Sequence, residues 1–185
     1  MNAKGACVMR RSIWACLVAI IFGIGVSVLA QAPQPGPEAK RLAMFAGTWQ
    51  YAGEAKASPI GPASKIAGKQ TGRMVAGGFA IENNGEESGP FGGVQWGETD
   101  VYDPGSKTYR YLGYQNDGAI WQGTGSVTGN VWKFSGTMTV KGTSYSLRTE
   151  ATFTPDGKSF TWKAEISTDG KTWAAWAETK ATKTS

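Results

Sequence analysis

Over its C-terminal half the chain alternates apolar and polar residues with a period of two, and this alternation narrows the possible folds more than any other feature. In "NVWKFSGTMTV" the residues Trp132, Phe134, Gly136, Met138 and Val140 share one face, and Lys133, Ser135, Thr137 and Thr139 share the other. In "YSLRTEATF" Tyr145, Leu147, Thr149, Ala151 and Phe153 oppose Ser146, Arg148, Glu150 and Thr152. "SFTWKAEI" sets Phe160, Trp162, Ala164 and Ile166 against Thr161, Lys163 and Glu165. Successive side chains of a strand point to opposite sides, so each segment has one dry and one wet face, the mark of an antiparallel sheet.

Turn signals divide the rest of the chain at hairpin spacing. They are Gly77-Gly78, Asn84-Gly85, Asp103-Pro104-Gly105, Asn116-Asp117-Gly118, Gly129-Asn130, Pro155-Asp156-Gly157 and Asp169-Gly170. The segments between them predict about ten strands. A meander of that size with open apolar edges invites association, and closure into an up-and-down barrel removes the edges. The expected fold is therefore all-β, an antiparallel up-and-down β-barrel, with an open sandwich as the alternative. Glycines inside the predicted strands (Gly97, Gly113, Gly123, Gly125, Gly136) mark points of bending or close packing. One short N-terminal helix is expected where Pro37 suits a first helical position and "EAKRLAMFA" puts Leu42, Phe45 and Ala46 on one side, before Gly47 ends it.

The first residues read as an export signal. Lys4, Arg10 and Arg11 precede the apolar run "SIWACLVAIIFGIGVSVLA" (12–30), and Val28 and Ala30 suit cleavage before Gln31. The domain expectation is a signal peptide over 1–30, a Pro-rich linker over 31–36 and a barrel over 37–185. Secretion to a periplasm follows from it. The alternative is a membrane anchor formed by an uncleaved 12–30. After cleavage no membrane span is expected.

Cleavage also changes the chemistry. Cys7 and Cys16, the two cysteines of the chain, lie in the leader, and the chain has no histidine. The remaining domain has no residue for a Ser-His or Cys-His nucleophile, an imidazole or thiolate zinc site, or histidine-ligated haem. Neither a cofactor nor an enzymatic activity is expected. All 14 acidic residues follow residue 30 and three of the 19 basic residues precede it, so the domain carries a net charge near +2. That balance is no nucleic-acid signature.

A short helix, Gly47-Thr48-Trp49 opening a first strand, and consecutive hairpins resemble the calycin group of lipocalins, fatty-acid-binding proteins and nitrobindins. The resemblance implies that Trp49 plugs the closed end of the barrel beside a basic residue of the last strand, here Lys180 or Lys183. Nitrobindins hold haem through a histidine, so haem is not carried over. The chain is more closely similar to a family of small exported bacterial proteins of uncharacterised function. That likeness spans Leu42 to Lys183 and rests on "GTW", "GGFAIEN" (77–83), "GPFGGVQWG" (89–97), "VYDPGSKTY" (101–109) and a final "DGKTW".

The candidate ligand-lining residues are the aromatics on faces expected to point inward: Tyr109, Tyr111, Trp121, Trp132, Phe134, Tyr145, Phe160 and Trp162. In a small barrel such residues either fill the lumen or surround one small ligand. Arg110, among tyrosines, is a candidate polar anchor. Residues 86–100, with "GPFGG" at their centre, read as a loop at the barrel mouth. Glu98 and Asp100 share a strand face and read as a solvated acidic face, with a carboxylate-based hydrolase as a distant alternative. The favoured function is non-covalent binding of a small apolar or amphipathic molecule inside the barrel. The alternative is an envelope scaffold whose barrel is filled.

Overall fold

A computed structural model describes residues 33–185; the expected signal peptide (1–30) and the first two residues of the expected linker lie outside them. Pro37 opens a short helix, α1 (Pro37–Arg41), which tightens into a 3-10 turn (Leu42–Phe45). Ten strands follow: β1 (Gly47–Ala55), β2 (Ser64–Val75), β3 (Ala80–Gly89), β4 (Gly92–Asp103), β5 (Thr108–Gln115), β6 (Ile120–Thr128), β7 (Val131–Val140), β8 (Thr143–Phe153), β9 (Ser159–Ser167) and β10 (Ala174–Lys183). Each pairs antiparallel with its neighbour in sequence, and β1 pairs with β10, so the sheet is a closed barrel without edges. The expected all-β barrel with one short N-terminal helix is the fold observed. No helix among the described residues is long and apolar enough to cross a membrane.

One end of the barrel is sealed by aromatic rings. Trp49 is fully buried and donates its indole N–H to the Phe45 carbonyl at 3.0 Å. Phe45, at the end of the 3-10 turn, stands edge-on to Trp132 and Phe153 with ring centroids 5.0 Å away from each. The Lys183 ammonium lies 5.3 Å from the centre of the Trp49 ring, a cation–π contact across the strand pair β1–β10. Lys180, the other basic candidate on this strand, is on the exposed face. Gly47 has φ +111°, and a Cβ there would come within 2.4 Å of the Lys183 chain. The glycine of "GTW" thus clears the path of the lysine that covers the tryptophan.

The outer face carries the charges in pairs. Lys69 meets Glu86 at 3.0 Å across β2–β3, and Arg148 meets Glu165 at 2.6 Å across β8–β9. Further pairs join β1–β2, β7–β8 and β9–β10. Each exposed pair contributes under about 1 kcal/mol, and together they fix which face is wet.

Two local expectations change. Asn84-Gly85 is no turn; both residues lie in the middle of β3, where Gly85 faces the Trp96 ring. Residues 86–100 are no open loop, since β3 and β4 run through them and leave only the Pro90-Phe91 tip.

Replacing Trp49 with alanine removes a fully buried indole from the seal and should lower stability by about 3–5 kcal/mol in denaturant unfolding. A loss below about 1 kcal/mol would show that the ring does not close the barrel.

Candidate functional site

Glycines inside the strands decide the shape of the interior. Gly113 on β5 faces Trp121 on β6, and a Cβ at Gly113 would sit 2.1 Å from the indole. With no side chain in the way, the Trp121 ring lies flat over β5 and its N–H reaches Glu98 on β4 at 2.5 Å. Tyr51 on β1 crosses β2 at Gly68 in the same manner and donates to Glu87 on β3 at 3.1 Å. Trp96 on β4 lies over Gly85 and donates its indole N–H to the Tyr51 hydroxyl at 3.2 Å. Phe134 covers Gly125. Large rings laid against the wall leave the middle of the lumen unfilled.

What remains is a cavity of about 190 Å³ between the aromatic seal and the mouth. Phe45 forms its floor, and Phe91, from the β3–β4 tip, stands at the mouth 6.3 Å from Trp176. The two halves of its wall differ in chemistry. Strands β1 to β5 present Tyr51, Asn83, Glu87, Glu98, Asp100 and Tyr111. Strands β6 to β10 present mostly apolar groups, among them Met138, Leu147, Phe160, Trp162 and Trp176. The cavity is amphipathic across its width.

Three carboxyls define the polar half, Asp100 buried and Glu98 and Glu87 half-buried. Asp100 is 3 % exposed and accepts a hydrogen bond from the Asn83 amide at 3.2 Å. Desolvation, then the nearby Glu98 charge, drive its pKa well above the ordinary carboxyl range, with the Asn83 bond acting the other way. Desolvation likewise raises Glu98 and Glu87, each partly offset by the bond from Trp121 or Tyr51. No lysine or arginine lines the cavity. The expected solvated acidic face at Glu98 and Asp100 is corrected: that face of β4 points inward. Its parity signals this, because Val94, Trp96 and Tyr102 fall on the same side as the two acids.

Five of the eight aromatic candidates line the cavity: Tyr111, Trp121, Phe134, Phe160 and Trp162. The other three are packed elsewhere. Tyr109 and Trp132 join the seal, 4.8 Å apart, with the Tyr109 hydroxyl donating to the Glu38 carbonyl at 3.0 Å. Tyr145 donates to the Pro59 carbonyl at 3.4 Å, in the connection between β1 and β2. Arg110, the expected polar anchor, is on the outer face between Tyr109 and Tyr111 and pairs with Asp103 at 2.9 Å. The Ser106 hydroxyl, Arg110 and the Gly105 amide hold Asp103 down at about 2, so this cluster is a turn device remote from the lumen.

Sequence reading also missed Tyr51, Asn83, Glu87 and Trp176. Tyr51 shares parity with Trp49, and Asn83 and Glu87 share it with Ile81, so those three were accessible to a parity count. Trp176 was not. A bulge between Ala175 and Ala177 inserts it into β10, and both Trp176 and Ala177 turn inward.

Two outcomes test this geometry. Unfolded carboxyls titrate near 4, and a group held above that value in the folded protein loses stability for the fold as pH rises through the raised range. Wild-type stability relative to Asp100→Asn should therefore fall above about pH 4, by up to about 1.4 kcal/mol per pH unit, in urea unfolding. A difference that is flat with pH would contradict the burial of an uncompensated acid. Gly113→Ala should cost about 1–3 kcal/mol by overpacking and alter the near-UV dichroism of the displaced Trp121. An unchanged spectrum would mean that the ring does not lie over Gly113.

The fold is shared with solved structures of distant sequence. The M. tuberculosis protein Rv2717c matches with a TM-score of 0.60 and 16 % identity, over 82 % of this chain and 100 % of its own. The S-type phycobiliprotein lyase of Guillardia theta matches with a TM-score of 0.52 and 12 % identity, over 83 % of this chain and 99 % of its own. At such identities the likeness is one of fold. No curated protein matches the chain by sequence. The family model described as "Protein of unknown function (DUF1579)" matches residues 34–178, most of the chain, and the protein belongs to that family.

Proposed function

We propose that the protein reversibly binds a small amphipathic molecule inside its barrel, without covalent chemistry. The observation that carries this reading is the cavity with one polar and one apolar wall. Enclosed, largely apolar spaces with a few placed polar groups are the usual form of a small-molecule site. At about 190 Å³ the space is below the roughly 300–1,000 Å³ of drug-sized pockets, so the fitting ligand is compact, on the scale of one or two rings. The hydrophobic leader and the Pro-rich segment behind it support export, which makes the protein a periplasmic or secreted carrier. The aromatic seal, with its lysine-covered tryptophan, supports a place among the calycins.

Binding is favoured over catalysis by how the acids are held. Glu98 is tied to Trp121 and Asp100 to Asn83, both as parts of the wall. The chain offers no histidine to shuttle protons. A scaffold with a filled barrel has less support, because the rings lie against the wall and leave space.

Native mass spectrometry of the protein purified from its own host tests the proposal. A non-covalent small-molecule adduct is expected, and it should be lost in Thr149→Trp, which fills the apolar side of the cavity while the fold persists. A bare mass for the wild type, together with a lumen that excludes added small aromatics, would sink the ligand reading.

A further inference from the structure

The distribution of acids says more about the ligand. The chain has 14 acidic residues, all among the described residues. Seven pair with lysine or arginine on the outer face: Glu54, Glu82, Glu86, Asp103, Glu150, Glu165 and Glu178. Glu38 is in α1, and Asp117, Asp156 and Asp169 cap turns or lie within them. The rest are Glu87, Glu98 and Asp100, which face the cavity and have no cation beside them. A buried carboxyl without a partner is expensive, and any charge it takes on needs compensation.

The other polar groups of the wall point the same way. Its main hydrogen-bond donors are already spent on the wall itself: Trp96 on Tyr51, Tyr51 on Glu87, Trp121 on Glu98 and the Asn83 amide on Asp100. The atoms left without a partner include Asn83 Oδ1, Gln115 Oε1 and the Tyr111 hydroxyl. Asn83 is 4 % exposed and Tyr111 7 % exposed, and both line the cavity. The register sets Tyr111 opposite Asp100 and Asn83 opposite Glu98, so these two flank the acid pair, while Gln115 lies farther along β5 opposite Trp96. Beside the acid pair the unpartnered groups are the Asn83 Oδ1 acceptor and the Tyr111 hydroxyl, which accepts as well as donates, so a ligand that donates finds acceptors there.

Aromatic faces supply the second half of the recognition. Trp121 covers the Glu98 side, and Tyr111 stands 5.4 Å from Phe134. Rings around a desolvated carboxylate attract cations through their quadrupoles, more strongly when water is excluded. Among the described residues no three metal-ligating side chains converge, which directs the reading to an organic cation.

We propose that the cavity takes a small organic ammonium ion, with its charged head at the Glu98–Asp100 pair and its apolar body against the β6–β10 wall. This rests on the ligand-binding reading and names the class of ligand. Glu87 pairs with Val94, six positions from Asp100 along β4 and therefore nearer the mouth, where it adds attraction on the way in. The titratable groups facing the bound head come from β1 (Tyr51), β3 (Glu87), β4 (Glu98 and Asp100) and β5 (Tyr111); β2 and β6 to β10 contribute none.

Isothermal titration of the purified full chain at neutral pH with benzylammonium, benzyl alcohol and phenylacetate tests the proposal, because the three probes share one ring and differ in the head. Benzylammonium should bind at least tenfold more tightly than benzyl alcohol, and phenylacetate more weakly than either. Asp100→Asn and Glu98→Gln should each lower benzylammonium affinity by a larger factor than benzyl alcohol affinity, and an unchanged near-UV dichroism shows that the barrel is intact. Equal affinity for the ammonium and the alcohol, or equal losses for both in the variants, would overturn the ammonium assignment and leave the ligand reading standing. Binding of none of the three by the wild type would remove both.

Discussion

The interior of this barrel depends on aromatic rings that cross a neighbouring strand above a glycine. A ring on a small barrel usually points to the axis, and a few of them fill it. Here Tyr51, Trp96 and Trp121 lie flat over Gly68, Gly85 and Gly113, because a Cβ at any of the three would collide with the ring. Lying flat, the rings reach polar partners two strands away and hold the Glu87 and Glu98 carboxyls in fixed places. One substitution pattern, glycine facing aromatic, therefore creates the space, furnishes its wall and positions its acids.

The two ends of the molecule divide the work. At the sealed end, Trp49, Phe45, Trp132 and Phe153 form a dry aromatic cluster under Lys183, and burial there supplies stability. Toward the mouth the interior becomes polar on one side, and the partly desolvated acids there work against stability. A fold with a strong seal at one end tolerates an unfavourable charge arrangement at the other. Such arrangements persist where they serve a site, since groups with perturbed pKa gather at functional positions.

The barrel was legible where local chemistry and tertiary placement agree. From Trp132 to Ile166 every apolar parity in the sequence is the inward one in the structure. Gly47-Thr48-Trp49 marked the end where the seal forms. The site was less legible because polarity and parity conflict in β4: Glu98 and Asp100 look like surface residues, while Val94 and Trp96 on the same side are core. Asn84-Gly85 carried the composition of a hairpin turn and serves as a bed for Trp96, a role set by a residue eleven positions away. Arg110 drew attention through its tyrosine neighbours, yet alternation puts it outside. The bulge that turns Trp176 inward has no local signature, since it arises from how β10 must meet both β9 and β1 on closure.

The acid pair inside the barrel stands without a fixed cation and awaits one. The most direct measurement is the pH titration of the Glu98 and Asp100 side-chain carboxyl carbons by ¹³C NMR, with and without an ammonium probe. Asp100 should ionise well above the ordinary carboxyl range in the free protein, and both midpoints should fall when benzylammonium is added. Ordinary midpoints near 4 that ignore the probe would contradict it.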